Sequence, residues 1–333
     1  MDRLDFTQGV VRTRVLEKKL LTFGTLERLI DAGTMDEAMK ILKETDYGSS
    51  FSLLTENNDF ETILFAELKR SFQIMDDVSP DSSIVNLLRL KYDYHNLKVL
   101  LKEIILDKDF SHLYLPIGTM DIKQIKTFIL NENLQDVDPP VRAAIVEVLT
   151  DYKITRDPQR IGIILDRLYI YHFLKIIEAI KSPLFIEYAK AMIDFINVRT
   201  LIRVKRQKKD RKFLEEVLLS KGNIEKEKFL HSFTDSIDQI IRNFRNEKIA
   251  KGLIPALQSY KETNRFEDFE KEMDNYLIKL IREAKHIHFG PEPIFAYLLA
   301  KETEMKNLRI ILVSKANEIP PQMVRKRMRE SYV

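Results

Sequence analysis

The sequence has 333 residues, 44% of them apolar and 32% charged, a balance suited to a folded chain with a sizeable core and too apolar for disorder. Its 54 basic residues nearly cancel 51 acidic ones, leaving a net charge of +3, which argues against non-specific nucleic-acid binding. Cysteine is absent, which excludes disulfides, thiolate metal sites and cysteine nucleophiles. The nine glycines are too scattered to build a phosphate-binding loop.

Apolar residues recur with a period near 3.6 and hairpin signals are almost absent, so the predicted fold class is all-α. The opening residues, Met1-Asp2-Arg3-Leu4-Asp5-Phe6, lack the basic-then-apolar pattern of a signal peptide. A first helix is predicted from about Phe6 to Leu21. Gly33-Thr34-Met35-Asp36 then reads as the end of one helix and the cap of the next, with Thr34 and Glu37 forming a capping box.

Ser79-Pro80 predicts the start of a long helix from roughly Pro80 to Leu106. Within it lies a motif of the form acidic-x-x-Asn-apolar-basic-x-apolar-apolar, running from Asp93 through Asn96 and Lys98 to Leu101. Gly118-Thr119-Met120-Asp121 comes next as a second stop-and-cap signal. The longest stretch without a charged side chain, Phe110 to Met120, is about half the ~20 apolar residues a membrane span needs.

The same order then returns. Ser182-Pro183 precedes Asp194, Asn197 and Arg199, and Gly222-Asn223-Ile224-Glu225 comes after them. Gly290-Pro291 precedes Glu304, Asn307 and Arg309. Three helical repeats of about one hundred residues are expected, at 1–110, 111–213 and 214–333, the third with a C-terminal helix. Counting back from Gly33 places Arg12 at the motif's basic position, with Val10 where the other copies have Asn.

A carboxylate within an apolar helix arc must find donors or cost several kcal/mol. Asp93, Asn96, Asp194, Asn197, Glu304 and Asn307 therefore read in one of two ways. They form polar clasps that fix helix register within each repeat, or they line a shared polar cavity that a partner enters. Between Arg203 and Lys212 stand seven basic residues, including Arg203, Lys205, Arg206, Lys208 and Lys209. They read as a solvated helix end favoured by the helix dipole, or as a contact for acidic loops or anionic headgroups. His286 and His288, two residues apart, point to different sides of a helix and do not make a metal site. No catalytic constellation and no cofactor site emerge.

The segment Leu90–Lys102 resembles the C subunit of the archaeal and bacterial V/A-type rotary ATPases, the counterpart of the d subunit of the eukaryotic vacuolar proton pump. Lys301–Leu312, with Pro320, Arg325, Arg327, Arg329 and Tyr332 after it, resembles it too, as do Arg12 and Arg14 ahead of Leu20-Leu21. The resemblance implies a funnel of three pseudo-equivalent helical domains on the cytoplasmic face of the membrane. Its implied partners are the central-stalk subunits, whose tip the funnel receives, and the proteolipid rotor ring. It also implies a non-catalytic, cofactor-free rotor adapter that carries torque for proton or sodium transport and is a monomer in isolation. The alternatives are a helical-repeat scaffold, or a binder of anionic lipid or RNA through residues 203–212.

Overall fold

The computed structural model describes residues 2–53 and 60–333, and all regular structure among them is helical. In chain order the α-helices are α1 (Thr7–Glu17), α2 (Phe23–Asp31), α3 (Met35–Lys43) and α4 (Phe60–Val78). Next come α5 (Ser83–Leu106), α6 (Ile122–Leu130), α7 (Pro139–Thr155) and α8 (Gln159–Ile180). The remainder are α9 (Pro183–Arg206), α10 (Arg211–Val217), α11 (Lys226–His231), α12 (Ile237–Asn243), α13 (Ala250–Thr263), α14 (Phe266–Ile281), α15 (Glu292–Ala316) and α16 (Pro321–Arg327).

The chain divides into two compact units, Ser83–Lys181 on its own and Met1–Ser82 together with Ser182–Val333. The boundaries expected at 110 and 213 do not coincide with this division, which falls just before the long helices α5 and α9. Each of these long helices shares its core with the helices after it in sequence, so the chain is divisible where the long helix begins.

In the smaller unit, α5 packs along α8, and α8 packs on α7. Leu97, Leu100 and Leu101 of α5, Ile145 and Val148 of α7, and Ile161 and Leu165 of α8 are all buried. Pro139 and Pro140 open α7, where no N–H partner is needed, and Lys181 in the left-handed region closes α8. The start expected for α5 at Pro80 is displaced to Ser83, because the Ser79 hydroxyl donates to the Asp81 carbonyl at 2.7 Å and turns the chain outside the helix.

In the larger unit, α9 packs on α14 and α14 on α13, around an aromatic core that includes Phe195, Phe229, Phe244 and Phe269. Helix α15 packs against α1 and α4. From Glu292 to Met305 every one of its residues is buried, so it runs through the middle of this unit rather than along its surface. Helix α1 ends at Glu17, short of the expected Leu21, and the residues after it form a turn into α2.

Candidate functional site

Each motif asparagine closes the same ring of hydrogen bonds. Asn96 donates its amide to the Leu115 carbonyl at 2.9 Å and accepts from the Leu115 N–H at 2.8 Å. Asn197 does the same with Leu219, at 2.9 and 2.8 Å. Asn307 does it with Arg329, at 3.0 and 2.9 Å. A primary amide is the one side chain that can pair with a peptide unit through both a donor and an acceptor. The requirement therefore explains why the position is Asn in all three motif helices.

The acidic position clamps a second strip of backbone. Asp93 accepts from the Thr119 and Met120 N–H groups at 2.6 and 2.9 Å, and from the Thr119 hydroxyl at 3.0 Å. Asp194 accepts from the Asn223 and Ile224 N–H groups at 3.0 and 3.1 Å, and from the Asn223 amide at 2.9 Å. Burial pushes the Asp194 carboxyl up to about 6 and also raises Asp93, in each case against the hydrogen bonds that favour the anion.

Glu304 clamps the Leu21 N–H, which immediately precedes the N-cap of α2. Met120 and Ile224, the residues clamped in the other two copies, likewise stand shortly before α6 and α11.

These contacts revise the reading of the stop-and-cap signals. Thr119 and Asn223 serve the carboxylates rather than capping helices, and Asp121 caps α6 by accepting from Gln124 N–H. Gly118 and Gly222 are not in the left-handed conformation. Each is glycine because a Cβ there would overlap Oδ1 of Asp93 or Asp194. At Gly33 the nearest atom to a Cβ is Oε2 of Glu37, at 3.2 Å, and not a motif carboxylate. Thr34 does accept the Glu37 N–H, at 3.2 Å, but Glu37 reaches back to Gly33 N–H at 2.6 Å instead of to Thr34.

The motif's basic residues each pair with the helix that packs alongside. Lys98 meets Asp166 of α8 at 2.6 Å, Arg199 meets Glu270 of α14 at 2.8 Å, and Arg309 meets Glu61 of α4 at 2.6 Å. Arg12 is exposed on α1, and no ion pair of its side chain occurs among the described residues. Within the basic segment, Arg203, Arg206, Lys208 and Lys209 are exposed. Lys205 is drawn inward, with its ammonium donating to the Asp235 carbonyl and its pKa lowered by burial. His286 and His288 are exposed, and no group of residues able to hold a metal ion occurs among the described residues.

Sequence reasoning missed a buried charge cluster around Glu304. Lys301, 2% exposed, donates to Glu304 at 2.8 Å, lies 3.1 Å from Glu67 and sits over the Tyr47 ring at 4.3 Å. The Tyr47 hydroxyl donates to Glu304 at 2.8 Å, and Arg70 pairs with Glu67 at 2.7 Å. Burial works against the Lys301 ammonium, yet the neighbouring carboxylates hold its pKa well above the ordinary lysine value. The available signal was three charged residues, Lys301, Glu302 and Glu304, directly after the uncharged stretch Pro293 to Ala300 of the same helix.

The fold and these clasps define an all-helical protein whose recurrent polar residues are spent on holding its own loops. Within that class, the chain belongs to the ATP synthase (C/AC39) subunit family, whose model matches residues 10–327. It is similar to the V-type sodium ATPase C subunit of Enterococcus hirae, 28% identical over 326 residues, covering 97% of each chain. It is also similar to the A-type ATP synthase C subunit of Methanocaldococcus jannaschii, 23% identical over 333 residues, covering 94% of this chain and 84% of the relative. A third relative, the A-type ATP synthase C subunit of Thermococcus kodakarensis, is 23% identical over 327 residues, covering 94% and 87%.

Proposed function

We propose that this chain is the C subunit of a V/A-type rotary ATPase, a structural rather than catalytic component. It seats the central stalk on the membrane rotor ring and passes torque between them. The observation that supports this reading is the family membership over residues 10–327, joined to a fold that spends its polar motif residues on rigidity. Torque transmission needs loops that do not yield, and each Asn and carboxylate clasp ties a loop to a long helix. No helix among the described residues is long and apolar enough to cross a membrane, which suits a peripheral seat on the cytoplasmic face.

On the same reading, three pseudo-equivalent repeats form a funnel. Each consists of a motif helix and the helix its basic residue pairs with: α5 with α8, α9 with α14, and α15 with α4. The repeats are then 83–181, 182–289, and 290–333 completed by the residues before 83, in place of the consecutive blocks read from sequence.

The test is purification of the tagged chain from membranes under conditions that keep the complex intact, with identification of the proteins that accompany it. Central-stalk and ring subunits are expected. Their absence from a preparation that retains ATPase activity would sink the adapter role.

A further inference from the structure

Three cavities of about 340, 380 and 490 Å³ adjoin one another in the larger unit, all lined by Arg327. Together they make one groove, running from the end of α9 past the turn between α13 and α14 to the exposed side of α15.

Its positive charge is only partly offset from within, by Glu267 and Asp268, which line it beside Arg265. Arg206 lies over the Phe266 ring at 5.9 Å, and no ion pair of its guanidinium occurs among the described residues. Arg265 forms loose ion pairs with Glu267 and Asp268, at 3.7 and 3.8 Å. No carboxylate among the described residues pairs with Arg327. Arg206 and Arg327 therefore keep their planar donor forks free for an incoming carboxylate or phosphate, while Arg265 is held by its two loose pairs. By contrast, the motif arginines Arg199 and Arg309 are already engaged.

The groove also has an apolar stretch. Ile310 and Val313, one turn apart on α15, line its far end, and Val313 is 42% exposed on a helix whose first half is wholly buried. A small polyanion has no use for that surface, and a flat headgroup layer does not enter a groove. A polypeptide that carries carboxylates beside apolar side chains satisfies both ends.

We propose that this groove docks an acidic amphipathic helix of a protein partner, with its carboxylates on Arg206 and Arg327 and its apolar stripe on Ile310 and Val313. The inference rests on the adapter reading in one respect, that the partner is the central stalk.

The experiment titrates the full-length chain into a fluorescent synthetic helix whose glutamates flank a leucine stripe. Binding that weakens with added salt is expected, with about a tenfold loss in the double variant Arg206→Glu, Arg327→Glu. A similar loss is expected in Val313→Asp. Unchanged circular dichroism and melting show that each variant is folded. Indifference of the peptide to the charge reversal overturns the proposal. So does equal binding by a glutamate helix without leucines, or by pyrophosphate or phosphatidylglycerol vesicles, with the same sensitivity to the variants.

Membrane purification separates the two ideas. A charge-reversed chain that loses the stalk while the unaltered chain keeps it supports the groove. If both keep the stalk, the groove proposal falls and the adapter reading stands. If the unaltered chain brings down neither stalk nor ring, the adapter reading falls, and the peptide titration alone decides the groove.

Discussion

Glu304 accepts a hydrogen bond from the backbone N–H of Leu21, 283 residues earlier in the chain. Asp93 and Asp194 find their backbone partners within 30 residues downstream, so the third carboxylate does the same task with a segment from the opposite end of the sequence. Around that contact Arg325 pairs with Glu27 and Asp31, and the Tyr332 hydroxyl donates to Glu17 at 3.1 Å. Substituting Glu304→Ala strips the acceptor from Leu21, from Tyr47 and from Lys301 together. A loss of about 3–5 kcal/mol in unfolding free energy is expected. Hydrogen exchange at Leu21 checks that the loss is centred there.

Asn197 carries the most secluded of the clasps, being fully buried with Leu219. Asn197→Ala leaves a buried N–H and a buried carbonyl without partners, each costing about 1–3 kcal/mol. Asn197→Asp keeps the acceptor but loses the donor to the Leu219 carbonyl and buries a charge, so it is expected to be no better than alanine. Urea denaturation of both variants, compared at neutral pH, reads the difference.

Two glycines separate crowding from helix propensity. At Gly222 a methyl group would overlap the Asp194 carboxylate, so Gly222→Ala is expected to cost about 1–3 kcal/mol. Gly162 lies within α8 with nothing within 4 Å of the position a Cβ would take. Gly162→Ala is expected to stabilise by up to about 1 kcal/mol. Melting temperatures that move in opposite directions support both assignments.

The raised carboxyl of Asp194 gives a signed pH dependence. Its folded pKa of about 6 stands above the ordinary aspartate value of 3.8, so below pH 6 the folded state binds a proton that the unfolded state does not. This group's contribution to stability therefore improves as pH falls from 6 towards 4 and is at its least favourable above 6. Asp194→Asn removes the titration. The stability of the unaltered chain minus that of the variant is expected to rise by about 2–3 kcal/mol on acidification across that window, at roughly 1.4 kcal/mol per pKa unit. A flat difference between pH 7.5 and pH 4.5 would contradict the assignment.

Much of the helical content is legible from apolar spacing, and Pro183 does mark the start of α9. The motif residues can be picked out as a set because their spacing recurs, but their partners cannot. Leu115 and Leu219 meet the asparagines through backbone atoms, and backbone contacts leave no preference in side-chain identity. Gly118 and Gly222 are visible as glycines, yet the reason for them is the carboxylate above, a contact that local turn chemistry does not encode. The Lys301 cluster draws Tyr47, Glu67 and Glu304 from three separate segments, and only the folded chain brings them together. Counting from Gly33 singles out Arg12, while the carboxylate clamp in that part of the chain falls on Leu21.

The burial of α15 among α1, α3 and α4 has a consequence for biosynthesis. A ribosome delivers α1, α3 and α4 long before the helix they enclose, so their apolar faces wait uncovered for most of translation. Residues 83–181 hold their own core and can close as soon as they emerge. Chaperone occupancy on nascent chains should accordingly concentrate on the early segment and drop only when synthesis passes Ala316.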